Sequence, residues 1–193
     1  MGSYDLYRQL YEMVKDKPYY MISTNVDSLF VKSGFPDDRV FEVQGDYCYF
    51  QCEKPCHEKL YYNEEQVREM AANVHDCRIP TELIPKCPVC GGDMDYNLRV
   101  DGRFVQDGDW HRHNADYEKF LKECGGKRTV FLELGVGYNT PSIIKYPFWQ
   151  MTAKNPQATY VCINYGEAVC PKKIENQSVC LDADIKNVLE YLQ

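Results

Sequence analysis

Apolar residues recur along this chain with two different spacings, which predicts helices and strands in alternation. Side chains at helical spacing predict helices over residues 3–15 and 110–124. Short, continuous apolar runs are typical of buried strands, and they lie at residues 19–23, 40–43, 129–134 and 158–163. This order of elements predicts an α/β fold built on a parallel sheet.

A second kind of pattern interrupts this alternation between residues 47 and 100. Two cysteine pairs, Cys52 with Cys56 and Cys87 with Cys90, lie at either end of it. Such short spacings let both sulfurs of a pair face one point, and two pairs supply the four thiolates of a tetrahedral zinc site. The alternatives are buried free cysteines or a disulfide. Four protein sulfurs leave no open position for water, so we expect a structural metal.

The remaining elements are short and follow local signals. Within the cysteine segment we predict a helix over residues 63–73, with Asn63 as its N-cap, and a half-buried strand over 94–100. Towards the end of the chain we expect a helix over 141–153 and a closing helix over 183–192 that Asp182 caps.

Polar residues follow two of the predicted strands at the positions where open α/β sheets bind ligands. Ser23, Thr24, Asn25 and Asp27 follow the first strand. Asp27 could contact a ligand or could simply cap the next short helix. The sequence Gly135-Val136-Gly137 follows the strand at 129–134, and Thr140-Pro141 then opens a helix. This is a pattern for binding phosphate at a helix N-terminus, but an ordinary strand–helix turn would look the same.

Composition narrows the class of protein. The chain has 193 residues, a net charge of −7 and a pI of about 5.1. It offers no basic stripe for nucleic acid, and no apolar run of the length that spans a membrane. Ten cysteines without a secretory signal predict reduced thiols in a cytoplasmic setting. We assign no role to Cys48, Cys77, Cys124, Cys162, Cys170 and Cys180.

Taken together, these motifs resemble the sirtuin family over nearly the whole chain. Residues 23–27 resemble the family's Thr-Gln-Asn-Ile-Asp motif, and Gln44-Gly45 lies where the family has His-Gly. The four cysteines match its zinc ribbon. Gly135-Val136-Gly137 and Asn164 fall where its later strands meet the dinucleotide.

The resemblance implies a fold, a cofactor and a set of roles. It implies a Rossmann-like parallel-sheet domain over residues 1–46 and 101–193, with a zinc-binding insert over 47–100, and NAD as the ligand. Asn25 and Asp27 would orient the nicotinamide ribose and carboxamide, and Gln44 would hydrogen-bond a ribose hydroxyl. Gly135, Gly137 and Asn164 would contact the adenosine half. The full set expected to contact NAD is Ser23, Thr24, Asn25, Asp27, Gln44, Gly135, Val136, Gly137 and Asn164.

Gln44 departs from the family pattern in a way that predicts a different reaction. Most sirtuins have a histidine here, which acts as general base in deacylation, whereas an amide accepts no proton near neutral pH. We therefore expect protein ADP-ribosyl transfer rather than lysine deacylation. Three motifs, Gln44-Gly45-Asp46, the spacing of Cys52 and Cys56, and the sequence of residues 134–141, resemble those of the microbial class M sirtuins. The resemblance implies two partners, a macrodomain protein and an acceptor protein that carries a lipoyl group.

A second departure favours a rival hypothesis. Nothing here matches the glycine-rich strand–loop–helix with which sirtuins open, so the parallel sheet is expected to be incomplete at its N-terminus. The chain could then be a non-catalytic, zinc-stabilised remnant that binds a partner protein. A zinc hydrolase using His57, His75, His111 or His113 is disfavoured by their spacing. A redox enzyme using Cys87 and Cys90 is disfavoured by the second cysteine pair.

Overall fold

The computed structural model describes residues 3–192, and its elements follow the predicted alternation. The helices are α1 (Ser3–Val14), α2 (Leu29–Lys32), α3 (Glu64–Ala72), α4 (Gly108–Cys124), α5 (Lys145–Lys154) and α6 (Ile185–Tyr191). The strands are β1 (Met21–Ser23), β2 (Val40–Glu42), β3 (Gly45–Cys52), β4 (Tyr61–Tyr62), β5 (Met94–Leu98), β6 (Thr129–Leu134), β7 (Ala158–Ile163) and β8 (Ser178–Leu181). Short 3₁₀ turns lie at Asp37–Arg39, Thr81–Leu83 and Lys172–Gln177.

The parallel strands form two sheets. β1 pairs with β2, and β6, β7 and β8 pair in that order. Each parallel sheet therefore has two edges, and among the described residues no strand pairs with the second edge of β1 or of β6. Residues of both of these strands line one cavity, so the two unpaired edges border the same space.

The antiparallel sheet carries the predicted cysteine segment. β3 lies between β4 and β5, and its pairing with β5 runs from Gly45 opposite Leu98 to Cys52 opposite Met94. Gly45 has φ +92°, and a Cβ built on it would lie 1.9 Å from the Asn97 carbonyl oxygen. Only glycine fits here, so this close approach fixes the backbone directly after Gln44.

Two apolar clusters hold the parallel sheets. One packs α5 against β6 and β7, and Phe131, Phe148 and Tyr160 lie at its centre. The other packs α1 and α6 over β2 and the loop after α2, with Phe35 and Leu189 buried. The side chains on both sides of the strands are thus partly covered by helices, as a parallel sheet requires.

Several predicted boundaries and caps are wrong, each for a local reason. The helix predicted over 141–153 starts at Lys145, because Thr140 to Ile143 form a separate turn in which the Ile143 N–H donates to the Thr140 carbonyl. Asp184 caps the last helix in place of Asp182, whose carboxylate accepts the Gly166 N–H instead. The domain boundaries at residues 46 and 101 stay a prediction.

One further absence concerns membranes. Among residues 3–192, no helix is both long enough and apolar enough to cross a bilayer.

Candidate functional site

A cavity of about 640 Å³ lies between β1 and β6, within the size range of small-molecule sites. The ends of both strands open into it, together with Gln44, which lies two residues after β2. Most of the residues predicted to contact a dinucleotide line this cavity; Asp27 and Asn164 do not. Those present are Ser23, Thr24, Asn25, Gln44, Gly135, Val136 and Gly137.

The end of β1 presents an oriented amide to the cavity. The Ser23 hydroxyl, which is buried, accepts the Asn25 backbone N–H at 3.0 Å and so turns the chain after the strand. The Asn25 side-chain Nδ2 donates to the Tyr7 hydroxyl at 3.2 Å. This bond leaves the Asn25 side-chain oxygen, Oδ1, free to accept a hydrogen bond from a ligand. Burial raises the pKa of Tyr7, so its hydroxyl stays neutral near physiological pH.

Asp27 lies beside the cavity rather than in its wall. Its carboxylate accepts the Leu29 backbone N–H at 3.1 Å, which is the capping alternative that the sequence left open. The Lys32 ammonium donates to the Asp27 carbonyl at 2.9 Å. Any part that Asp27 plays in holding a cofactor stays a prediction.

Gln44 reaches across the cavity to the loop after β6. Its Nε2 donates to the Thr140 hydroxyl at 3.3 Å, and its backbone carbonyl accepts the Arg99 N–H. The Nε2 bond leaves the Gln44 side-chain oxygen free as an acceptor. The sequence pointed to Gln44 but not to Thr140, which was interpreted only as a helix start.

The loop from residue 135 to residue 140 supplies backbone donors. The Gly135 N–H donates to the Ile163 carbonyl, and the Asn164 side-chain Nδ2 donates to the Val136 carbonyl at 3.0 Å. The N–H groups of residues 136–139 donate no hydrogen bond within residues 3–192. Consecutive free amides beside a cavity are suited to an anion such as a phosphate. Because α5 begins only at Lys145, these loop amides, and not a helix terminus, are the donors available.

Behind the site, three carboxyl groups lie close together. The negative charges of Asp27 and Asp46 disfavour ionisation of Glu42. The Oε1 atom of Glu42 is buried and has no hydrogen-bond partner among the described residues. Burial, reinforced by Asp46 and Asp27, raises the pKa of Glu42 to about 8. Glu42 therefore remains protonated at neutral pH in the folded protein, whereas in the unfolded chain it ionises near 4.5.

The raised pKa of Glu42 predicts a pH-dependent stability. Between about pH 4.5 and 8 the folded state holds a proton that the unfolded state releases, so Glu42 destabilises the fold increasingly as pH rises. We expect Glu42→Gln to raise the free energy of unfolding at pH 8.5 by about 4 kcal/mol more than at pH 5. Urea denaturation at the two pH values measures this. Asp38→Asn, at an exposed acid nearby, should show no such difference, and an equal effect for both variants would contradict the assignment.

The four predicted metal ligands converge at the end of β3. The Sγ atoms of Cys52, Cys56, Cys87 and Cys90 all lie within 4.8 Å of one another, and two of the pairs are 3.7 Å apart. A tetrahedron of sulfurs at about 2.3 Å from zinc has edges of about 3.8 Å. The cluster could therefore hold a metal ion. The turn that brings Cys87 and Cys90 together is closed by the Gly91 N–H, which donates to the Cys87 carbonyl.

Comparisons with known proteins agree with this geometry. No protein-family model matches the chain. A curated "Protein ADP-ribosyltransferase" from Staphylococcus aureus is 34% identical over 184 residues, covering 95% of this chain and 58% of the relative. A "Probable bifunctional ADP-ribose hydrolase/ADP-ribosyltransferase" from Fusarium oxysporum f. sp. cubense is 26% identical, over 90% of this chain and 30% of the relative. The chain thus spans less than two thirds of either relative.

Solved structures show the fold. A Sir2 mutant in complex with a p53 peptide and NAD superposes with a TM-score of 0.64 at 15% identity, covering 98% of this chain and 68% of that one. Sir2Af2 bound to a myristoylated histone peptide gives 0.58 at 18% identity, with coverages of 97% and 68%. A mutant Sir2 homologue in complex with ADP-ribose gives 0.57 at 15% identity, with coverages of 97% and 64%. The predicted Rossmann-like α/β fold with a cysteine cluster of the zinc-ribbon kind is confirmed.

Proposed function

We propose that this chain is a sirtuin-type enzyme that uses NAD to transfer an ADP-ribosyl group to a protein. One observation carries the proposal. Asn25, Gln44 and the loop that carries the free amides of residues 136–139 border a single cavity, and these are the kinds of donor and acceptor that a dinucleotide needs. NAD, when bound, supplies the ADP-ribosyl group as its bond to nicotinamide breaks.

Asn25 would orient the nicotinamide end. Its side-chain oxygen, left free by the bond to Tyr7, can accept a hydrogen bond from a carboxamide N–H. Asp27 would support this end through the backbone turn that it caps. Fixing the orientation of the leaving group contributes to the rate by presenting the reacting carbon of the ribose to the acceptor.

Gln44 would bind the ribose without acting as a base. Its side-chain oxygen can accept a hydrogen bond from a ribose hydroxyl, but it cannot take up the proton. Breaking the nicotinamide–ribose bond does not require that proton to be removed. A site with Gln44 can therefore still transfer the ADP-ribosyl group to an acceptor. The steps that complete deacylation would lack their general base, which typically costs 10²–10⁴-fold.

The loop over residues 135–140 would hold the pyrophosphate and the adenosine half. Among the described residues, the cavity lining contains neither a lysine nor an arginine. Backbone amides of residues 136–139 would therefore carry the binding of the anion. Ser23, Thr24, Gly135, Val136, Gly137 and Asn164 would shape this part of the pocket.

The cysteine cluster would hold zinc as a structural ion. Two of the six sulfur–sulfur distances, both 3.7 Å, fit a tetrahedral site, and the all-cysteine donor set is typical of structural zinc. The ion would fasten the ends of β3 and β5, whose other ends pair beside Gln44. It would therefore support the site without taking part in the chemistry.

The acceptor would be a protein, as the resemblance to class M sirtuins suggested. Two of the Sir2 structures are described as holding a peptide, and the Fusarium relative combines the transferase with an ADP-ribose hydrolase in its name. These descriptions support a polypeptide acceptor, such as a lipoyl-carrying protein, and a macrodomain protein that would remove the modification.

NAD binding is the first test. We expect the zinc-loaded chain to bind NAD in calorimetry and to label an added acceptor protein with ADP-ribose from isotopically labelled NAD. Asn25→Ala should raise the Kd for NAD about tenfold, the cost of one good hydrogen bond in a polar site. Asn73→Ala, at the exposed residue that follows α3, is the matched control and should leave the Kd unchanged.

One observation favours a second candidate, a non-catalytic remnant that binds a partner protein. The unpaired edges of β1 and β6 leave the cavity without a strand between them within residues 3–192. If that gap prevents the cofactor from binding, the zinc-loaded chain will show no NAD binding at all. This outcome would contradict the transferase proposal and support the remnant.

A further inference from the structure

A buried polar network lies directly behind the loop that follows β6. The Lys145 ammonium donates to Glu133 Oε1 at 2.5 Å, and the Tyr160 hydroxyl donates to Glu133 Oε2 at 2.7 Å. Side chains of Lys145 and Glu133 are 0% exposed. Burial raises the pKa of Tyr160, which keeps this hydroxyl a donor. None of these groups was singled out from the sequence.

The network joins the two ends of the loop. Glu133 is on β6, two residues before Gly135, and Lys145 is the first residue of α5. The ion pair therefore closes residues 134–144 into a ring. Within residues 134–144, the centroid of the Tyr138 aromatic ring lies 5.3 Å from the Lys145 ammonium, a distance at which a cation is attracted to an aromatic face.

Stability alone is a weak reason for such a pair. Burying two charges costs free energy that their attraction barely offsets, and well-packed neutral side chains often do as well or better. What a buried pair supplies is a fixed geometry, because both partners must meet within hydrogen-bonding distance. Here the geometry that it fixes is the separation of the strand end from the helix start.

We propose that Glu133 and Lys145 are positioning residues that hold the loop over residues 135–140 in the shape that presents its free amides to the cavity. Tyr160 orients the Glu133 carboxylate from the opposite side, and Tyr138 carries the constraint into the loop. The step from loop shape to NAD affinity depends on the proposed function; the effect on loop shape does not.

Limited proteolysis with chymotrypsin tests the loop itself. Tyr138 is 49% exposed within the loop, and Tyr165 is 83% exposed outside it, so cleavage after Tyr165 is an internal control. The double variant Glu133→Gln/Lys145→Met removes both charges without leaving either one unpaired. We expect it to fold and to raise cleavage after Tyr138, relative to Tyr165, about tenfold, together with a similar rise in the Kd for NAD.

Two further variants keep the test decisive. Lys145→Arg retains a cation and should stay within about threefold of the wild-type ratio, whereas Tyr160→Phe removes only the hydroxyl and should raise the ratio about threefold. A folded double variant with an unchanged ratio overturns the inference. If it does not fold, an unchanged ratio in Tyr160→Phe does so. A raised ratio with unchanged NAD affinity overturns the link to binding. If the wild type binds no NAD, the proposed function fails and the cleavage ratio alone decides the role of the pair.

Discussion

Replacing Cys87 with serine is expected to release the zinc and unfold the antiparallel sheet around it. Cys87 is only 2% exposed, and its sulfur lies 3.7 Å from that of Cys56. Serine fits the same space, but its hydroxyl stays neutral near physiological pH and cannot replace the thiolate that binds the metal. Structural zinc binding contributes on the order of 10 kcal/mol, which exceeds what the few other buried side chains of this small sheet, such as Phe50 and Val105, can supply. The zinc content should fall from one ion per chain to none, as measured by elemental analysis of the purified protein.

The effect of losing zinc should reach the cavity. The β3–β5 pairing that begins near the cysteines ends at Gly45 and Leu98, directly after Gln44. Loss of that pairing removes the close contact between Gly45 and the Asn97 carbonyl, and with it the fixed position of Gln44. NAD affinity should therefore fall in Cys87→Ser even though no cysteine lines the cavity.

Cys77→Ser is the matched control for the zinc experiment. Cys77 is exposed and lies outside the four-cysteine cluster. This variant should keep one zinc ion per chain and its melting temperature. A Cys87→Ser protein that retains zinc and melts like the wild type would contradict the role of Cys87 as a ligand, and a stable wild type without zinc would show that the cluster is not a metal site.

Local spacing explains why the cysteine cluster and the strand-end residues could be predicted from sequence. Cys52 and Cys56 are close in space because they are close in the chain, and the same holds for Cys87 and Cys90. Asn25 reaches the cavity because it directly follows a strand. In each case the sequence shows the chemistry in a few neighbouring residues, although only the fold brings the two cysteine pairs together.

Features that depend on tertiary contacts could not be predicted in this way. Lys145 has the sequence context of an ordinary helix start, yet it is buried because Glu133, twelve residues earlier, lies opposite it. Glu42 ends a short strand that is otherwise apolar, and only the fold brings Asp46 and Asp27 towards it. Asp182 has good capping chemistry but is engaged by Gly166, so Asp184 takes the cap. A single sequence does not show these long-range partners.

Gln44→His is expected to shift the product from ADP-ribosylated protein towards deacylated peptide. The backbone at this position is held by the Gly45–Asn97 contact and by the Arg99 N–H, so a histidine would occupy the place that Gln44 now has at the cavity wall. An imidazole titrates near neutral pH and can take the ribose proton that an amide cannot. Restoring a general base should raise deacylation by about 10²–10⁴-fold over the wild type.

The control for this substitution is Gln44→Asn, which keeps an amide and adds no base. Both variants lose the Gln44–Thr140 hydrogen bond, so any change that they share reports that loss and not the base. Incubation of each protein with labelled NAD, an acetylated peptide and an acceptor protein, followed by mass spectrometry, measures the ratio of the two products. A ratio that moves in Gln44→His but not in Gln44→Asn assigns the choice of reaction to proton transfer at this position. If Gln44→His binds NAD but leaves the ratio unchanged, the missing base does not determine the reaction, and the shape of the cavity or the acceptor itself must do so.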